Sequence, residues 1–144
     1  MRPSILVVDD DIGMATLLCE HLEQSGYRVT YCNDAAQALI QVEGVKVGLI
    51  IADIMMPIYG SGVDVYKRIR SDPRYSRNLP IIFLTGINHE QARRMVPVHD
   101  LHVRLMFKPT TLAQLTQAIQ ELTGDRLREA KAKPAGTNPT QPAK

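Results

Sequence analysis

Residues 5–11, ILVVDDD, decide the fold, because a short apolar run ends there in three consecutive acids. Three later apolar runs also end at a polar residue, and these residues are Asp53, Thr85 and Lys108. Such runs, bounded by turn residues, are typical of buried parallel strands, whose carboxyl ends form the ligand-binding edge of the sheet. The sequence therefore predicts that acids, a hydroxyl and an amine converge at one edge.

Length and composition indicate one globular domain. The chain has 144 residues, of which 44% are hydrophobic and 22% charged, and a chain of this length can close a real core. No apolar stretch approaches the ~18 residues of a membrane span, and the N-terminus does not resemble a secretory signal, so we expect a cytoplasmic protein with no membrane partner. Cys19 and Cys32 lack metal-ligand or redox spacing and are interpreted as small buried hydrophobes.

The distribution of charge speaks against nucleic-acid binding by this domain. The net charge is +2, but five basic and two acidic residues follow Gly124, which leaves the first 124 residues at −1. The predicted folded body therefore lacks the positive surface that supplies non-specific affinity for nucleic acids.

Strands and helices are predicted to alternate five times. The predicted strands are 5–8, 28–31, 47–52, 81–84 and 103–107; the predicted helices are 12–25, 35–43, 63–70, 89–95 and one between the Thr110 or Thr111 cap and Gly124. Right-handed crossovers then favour an α/β fold with a doubly wound, five-stranded parallel sheet in the order 2-1-3-4-5. Residues 125–144 are predicted to be a flexible, basic, proline-rich tail or linker, helical at most to about Lys133, because they contain one large apolar residue, Leu127.

The predicted strand order makes Asp9, Asp10 and Asp53 neighbours. Two unit charges ~4 Å apart repel by about 4 kcal/mol at an effective dielectric of ~20, so such a cluster requires protons or a cation. Mg²⁺ prefers oxygen ligands and often uses one or two carboxylates with water and phosphate oxygens. We therefore expect a magnesium site at this edge.

The chain resembles the receiver domain of bacterial response regulators over residues 4–124. The resemblance rests on four motifs in order, which are Val7-Val8-Asp9-Asp10, Asp53 followed by Met56-Pro57, Leu84-Thr85-Gly86, and Lys108-Pro109. It implies the flavodoxin-like fold and a role in a two-component phosphorelay. It also implies a signalling module rather than a conventional enzyme, one that catalyses its own phosphorylation and slow autodephosphorylation.

The resemblance implies a role for each acid of the predicted site. Asp53 would accept a phosphoryl group from a histidine kinase or a histidine phosphotransfer protein. Asp10 and Asp53 would bind Mg²⁺, together with the backbone carbonyl of Met55 and, through water, Asp9.

The resemblance also implies that Thr85 and Lys108 bond the phosphoryl oxygens, and that the Lys108-Pro109 peptide is cis. These roles agree with the chemistry, since phosphoryl transfer mainly requires in-line positioning and neutralisation of charge on the equatorial oxygens. Gly86 fits as well, because a side chain next to Thr85 would crowd the incoming group.

Two positions depart from the family pattern. The loop after Pro57 is one residue longer than usual, so either Gly60 or Gly62 could form the turn next to Asp53. The last strand usually carries Tyr or Phe three residues before the lysine, and this chain has Leu105 there. We therefore expect a change from the usual output coupling, carried mainly by the backbone of residues 85–95.

Several functional alternatives stay open at the level of sequence. The leading hypothesis is a phosphorylation-switched receiver, either alone or cut from the N-terminus of a longer regulator, that acts on an unknown downstream protein. A second copy of the chain is a candidate partner through the fourth helix, fifth strand and fifth helix. The alternatives are a haloacid-dehalogenase-like phosphohydrolase that uses Asp9 and Asp11, and a scaffold that is never phosphorylated.

Overall fold

Strands and helices alternate along the chain in the computed structural model, which describes residues 2–44, 46–56, 60–75, 77–97 and 99–129. The strands are β1 (Ser4–Val8), β2 (Val29–Cys32), β3 (Val47–Ala52), β4 (Met55–Met56), β5 (Gly60–Ser61), β6 (Ile81–Thr85) and β7 (Val103–Phe107). The helices are α1 (Ile12–Gln24), α2 (Ala35–Gly44), α3 (Gly62–Ser71), α4 (His89–Met95) and α5 (Leu112–Thr123).

Five parallel strands form the main sheet in the order β2-β1-β3-β6-β7. This is the predicted order 2-1-3-4-5, and the predicted doubly wound α/β fold is confirmed. The predicted bounds of the strands and helices differ from the observed ones by at most one residue at each end, apart from the short pair β4 and β5. Within the described residues, no helix has the length and apolar character needed to cross a bilayer.

The two faces of the sheet bury alternate strand residues under different helices. On one face, Leu6 and Val8 of β1 pack in a core to which α2, α3 and α4 contribute. On the other face, Ile5 and Val7 pack in a core to which α1 and α5 contribute. Successive side chains of a strand point to opposite faces, so the uninterrupted apolar run of β1 serves both cores.

Side-chain caps fix where the helices begin. Asp11, Asn88 and Thr111 each accept hydrogen bonds from backbone amides of the first turn of α1, α4 and α5. A cap of this kind stabilises a helix by about 1 kcal/mol. The cap at Asn88 explains why α4 begins at His89 although its apolar periodicity is weak.

A short antiparallel pair replaces part of the expected loop after Asp53. Met55 pairs with Ser61, and Met56 pairs with Gly60. The sequence did not predict these two-residue strands, because a pair this short leaves no alternation pattern. Pro57, which contributed to the resemblance, lies outside the described residues.

Residues 125–129, called the C-terminal segment below, correct the prediction that a flexible tail begins after Gly124. Leu127 is fully buried, and Arg128 forms an antiparallel bridge with Tyr27, just before the edge strand β2. The Glu129 amide donates to the Gly26 carbonyl at 2.9 Å. This part of the chain bends back and forms no helix; residues 130–144 lie outside the described part of the chain.

The burial of Leu127 depends on two glycines. Gly124 ends α5 with φ of 62°, a left-handed conformation that favours glycine and turns the chain towards the sheet. Gly48 in β3 leaves the space that Leu127 fills, since a Cβ at position 48 would collide with the leucine side chain and with Pro3. A single apolar residue therefore anchors a segment that composition alone marks as tail.

We predict that Leu127→Ala lowers the free energy of unfolding by about 2–5 kcal/mol, the usual effect of truncating a buried leucine. Urea unfolding followed by circular dichroism measures the change. The matched control is Leu101→Ala, since Leu101 is 89% exposed, and it should change stability by about 0.5 kcal/mol or less. Equal stability of the two variants would show that the C-terminal segment does not contribute to folding.

Candidate functional site

The polar residues that follow the strands meet at one edge of the sheet. Val8 of β1 pairs with Ala52 of β3, so the next residues, Asp9 and Asp53, lie side by side. Thr85 ends β6 opposite the last residue of β7, and Lys108 follows directly. The amide of Lys108 donates to the Thr85 carbonyl at 2.7 Å, which extends the strand pairing to the edge.

Lys108 joins the two carboxylates. Its Nζ donates to Oδ2 of Asp9 at 2.9 Å and to Oδ2 of Asp53 at 3.0 Å. The three side chains are only 17%, 10% and 12% exposed, respectively, so this is a partly desolvated cluster and not a surface ion pair. Burial alone would lower the pKa of Lys108, but its hydrogen bonds to Asp9 and Asp53 outweigh burial and raise that pKa above the ordinary value. The ammonium is therefore charged at neutral pH.

The three consecutive acids have different surroundings. Asp9 is buried, and its Oδ1 accepts from the Asp11 amide at 3.0 Å. Asp11 accepts from the Met14 amide at 3.1 Å as the cap of α1. Asp10, between them, is partly exposed.

Tyr31 is a residue of the site that the sequence did not indicate. Its hydroxyl donates to the backbone carbonyl of Asp9 at 2.8 Å. The available signal was the pairing of β1 with β2, which places Tyr31 opposite Val7, two residues before Asp9. Without knowledge of how β1 and β2 pair, the sequence does not distinguish Tyr31 from the other residues of β2.

Thr85 is fully buried at the end of β6. Its hydroxyl oxygen accepts from the Ile87 amide at 3.3 Å, and its backbone carbonyl accepts from the Lys108 amide. Gly86 is exposed, and a Cβ there would meet no protein atom within 4 Å. The packing of the protein itself therefore does not require glycine at position 86.

Gly62 is the glycine that supports the backbone of Asp53. Its amide donates to the Asp53 carbonyl at 3.1 Å, and a Cβ at this position would lie 2.5 Å from that same oxygen. Gly62, one of the two glycines considered from the sequence, is thus required by close packing against Asp53. It is also the first residue of α3, so this helix begins against the site.

An aromatic residue lies next to the lysine, although the usual position three residues earlier is occupied by leucine. Leu105 is half-buried and packs in the core beneath α4. Phe107 stacks on His89, the first residue of α4, with ring centroids 3.6 Å apart and an angle of 21° between the rings. The Lys108-Pro109 peptide is cis, as the resemblance implied.

The donor set of this edge suits Mg²⁺. Among the described residues, no three His, Cys, Asp or Glu side chains form a group that could hold a metal ion. Mg²⁺ usually needs only one or two carboxylates, because water and phosphate oxygens complete its coordination. The carboxylates of Asp9 and Asp53 converge on one cation, the Lys108 ammonium, so oxygen ligands from two strands lie together at this edge.

Comparison with known proteins connects this geometry with signalling proteins. The family model of the response regulator receiver domain matches residues 5–120. The chain is 37% identical over 98 residues to the CAI-1 autoinducer sensor kinase/phosphatase CqsS of Vibrio cholerae, which covers 68% of this chain and 14% of CqsS. It is 39% identical over 90 residues to the alkaline phosphatase synthesis transcriptional regulatory protein PhoP of Bacillus subtilis, which covers 62% of this chain and 36% of PhoP.

A solved structure has the same fold. The response regulator receiver domain protein (CheY-like) of Methanospirillum hungatei superposes with a TM-score of 0.75 at 21% identity, covering 88% of this chain and 97% of that one. The present chain therefore spans a whole domain of this fold, but only a small part of the length of the two curated relatives.

We predict that Gly62→Ala displaces the backbone of Asp53 and lowers the free energy of unfolding by about 1–3 kcal/mol, the typical effect of overpacking. Chemical denaturation measures the stability, and the amide resonance of Asp53 reports the displacement. The control is Gly44→Ala at the end of α2, where a Cβ meets nothing within 4 Å; it should leave the Asp53 resonance in place. An unshifted Asp53 resonance in Gly62→Ala would contradict the proposed close packing.

Proposed function

The chain belongs to the response regulator receiver domain family of two-component signalling, and from this premise we propose that it is a phosphorylation-switched module whose phosphoacceptor is Asp53. The observation that carries the proposal is the Lys108 ammonium between the carboxylates of Asp9 and Asp53, at 2.9 and 3.0 Å. An acceptor for a phosphoryl group needs a nucleophilic oxygen and a cation beside it. The proposal is the same for a stand-alone receiver and for the N-terminal part of a longer regulator.

The proposed reaction transfers a phosphoryl group from a phosphohistidine of a kinase or phosphotransfer protein. A carboxylate oxygen of Asp53 attacks phosphorus, and the O–P bond forms as the P–N bond breaks. The electron pair of the P–N bond stays on the imidazole, whose other nitrogen carries a proton, so neutral histidine leaves. Lys108 and the hydroxyl of Thr85 bond the phosphoryl oxygens, and attack of water on the aspartyl phosphate later resets the module.

We assign a magnesium site to the same edge. Asp10 and Asp53, the backbone carbonyl of Met55 and, through water, Asp9 are the proposed ligands. When bound, Mg²⁺ supplies positive charge that offsets the charge on the phosphoryl oxygens. Support comes from the convergence of the Asp9 and Asp53 carboxylates on Lys108 and from the partly exposed position of Asp10.

The surroundings of the site suit a protein donor. Ile12, Met14 and Leu17 on α1 are 60%, 43% and 53% exposed, which is unusual for large apolar side chains in such number. A mainly apolar groove of about 310 Å³ lies between α1 and α5 and reaches Asp9 and Lys108. We propose that the histidine-bearing partner docks there, in the cytoplasm.

The homodimer through α4, β7 and α5 stays a prediction.

The phosphohydrolase alternative is less well supported. It requires Asp11 as a second catalytic acid, whereas Oδ1 of Asp11 accepts the Met14 amide as the cap of α1. A scaffold that is never phosphorylated would not need a half-buried lysine bonded to two carboxylates, because such a cluster carries a desolvation cost.

We predict that acetyl phosphate and Mg²⁺ add one phosphoryl group to the chain, detected by intact-mass spectrometry, and that Asp53→Asn takes none. The matched control is Asp11→Asn, which retains a capping side chain and should retain the label. A label that persists in Asp53→Asn but is lost in Asp11→Asn would instead support the phosphohydrolase.

The response to phosphorylation should be largest in residues 86–97. Phe107 precedes Lys108 and stacks on His89, so a movement of Lys108 towards a phosphoryl group is transmitted to the start of α4. We expect beryllofluoride with Mg²⁺, a mimic of the phosphoryl group, to change hydrogen-exchange protection in residues 86–97 more than at Leu105. Fluoride and Mg²⁺ without beryllium are the control. A response centred on β7 with residues 86–97 unchanged would contradict this route.

A further inference from the structure

We propose that Tyr31 is a positioning residue that orients the acidic loop for Mg²⁺ binding, an inference that rests on the proposed function. Its hydroxyl donates to the carbonyl oxygen of Asp9 at 2.8 Å. That carbonyl belongs to the peptide group between Asp9 and Asp10. Because the peptide group is planar, a hydrogen bond to its oxygen also fixes the direction in which the chain enters Asp10, the proposed metal ligand.

The end of β2 fixes the peptide groups on both sides of Asp9. The Asp9 amide donates to the Cys32 carbonyl at 3.3 Å, and Tyr31 binds the Asp9 carbonyl. The side chain of Asp9 is also held, by the Asp11 amide and by Lys108. Asp9 is thus fixed through its amide, its carbonyl and its carboxylate, and Asp10 directly follows this fixed residue.

The length of the tyrosine side chain explains why this residue type is needed. Tyr31 lies opposite Val7, so its hydroxyl must reach two residues along β1, a rise of about 6.6 Å. A β-branched or small side chain at position 31 could not place a donor at that distance. Gln41 of α2 donates to the Tyr31 carbonyl at 3.1 Å, which anchors the tyrosine backbone as well.

The phenol remains a donor under physiological conditions. Burial, followed by the nearby charge of Asp9, raises the pKa of Tyr31 above its ordinary value. The hydroxyl is therefore protonated at neutral pH, and its bond to an uncharged carbonyl does not compete with Lys108 for the carboxylates.

The test compares Tyr31→Phe with Tyr75→Phe. Both variants lose one hydroxyl and keep the ring; the Tyr75 hydroxyl donates to Oε2 of Glu43 at 2.7 Å, a contact between α2 and the loop after α3. Mg²⁺ affinity is measured by the metal-dependent shift in melting temperature and by titration of the Asp10 amide resonance. Phosphorylation by acetyl phosphate is followed at low and at saturating Mg²⁺.

We expect Tyr31→Phe to weaken Mg²⁺ binding about fivefold, the factor that corresponds to one hydrogen bond of about 1 kcal/mol. The rate of phosphorylation should fall by a similar factor at low Mg²⁺. At saturating Mg²⁺ it should return to within about twofold of the rate of the chain that carries Tyr31. The Asp10 resonance should shift even without metal. Tyr75→Phe should leave Mg²⁺ affinity, rate and the Asp10 resonance unchanged, whatever it does to melting temperature.

The outcomes separate this proposal from the proposed function. If the unmodified chain is phosphorylated with Mg²⁺ and Tyr31→Phe binds Mg²⁺ as tightly, Tyr31 is merely structural and only this inference is overturned. Equal losses of affinity in Tyr31→Phe and Tyr75→Phe overturn it as well. If the unmodified chain neither binds Mg²⁺ nor takes a phosphoryl group, the proposed function and this inference are both wrong.

Discussion

The site depends on one lysine that two carboxylates share. The pairing of β1 with β3 places Asp9 and Asp53 side by side, and carboxylates ~6 Å apart repel by about 3 kcal/mol at an effective dielectric of ~20. The Lys108 ammonium compensates for this repulsion from the end of β7. The negative charges thus follow β1 and β3, and the positive charge follows β7 at the other side of the sheet. Under the proposed function, the phosphoryl oxygens would take over the contacts that Lys108 now makes with the carboxylates.

The sequence predicted the parts of the structure that follow from local patterns. Apolar runs with a polar residue at the end located the strands and the edge at which Asp9, Asp53 and Lys108 meet. Features that depend on register or on single long-range contacts could not be predicted. Leu127 is one apolar residue in a polar segment, and only the space above Gly48 reveals why it is buried. Likewise, Tyr31 has a role only once the pairing of β1 with β2 is known.

The sequence also left the roles of some neighbouring residues undecided. Spacing left Gly60 and Gly62 equivalent, whereas the structure shows that Gly62 approaches the Asp53 carbonyl too closely for a side chain. Spacing also indicated that an aromatic residue was missing at position 105. The structure places an aromatic ring two residues later, because Phe107 faces the same side of the sheet as Leu105 and meets His89. The contact between the last strand and α4 is thus made closer to the lysine than the sequence implied.

The edge strand β2 connects the C-terminal segment with the site. In the main sheet β2 has one neighbour, β1, so contacts outside the sheet contribute to its position. At its start, Arg128 bridges Tyr27, and Glu129 donates to Gly26. At its end, Tyr31 donates to the Asp9 carbonyl. The contacts of the C-terminal segment and the hydrogen bond of the Tyr31 hydroxyl thus lie at the two ends of the same short strand. The C-terminal segment therefore helps to place β2, the strand from which Tyr31 reaches the acidic loop.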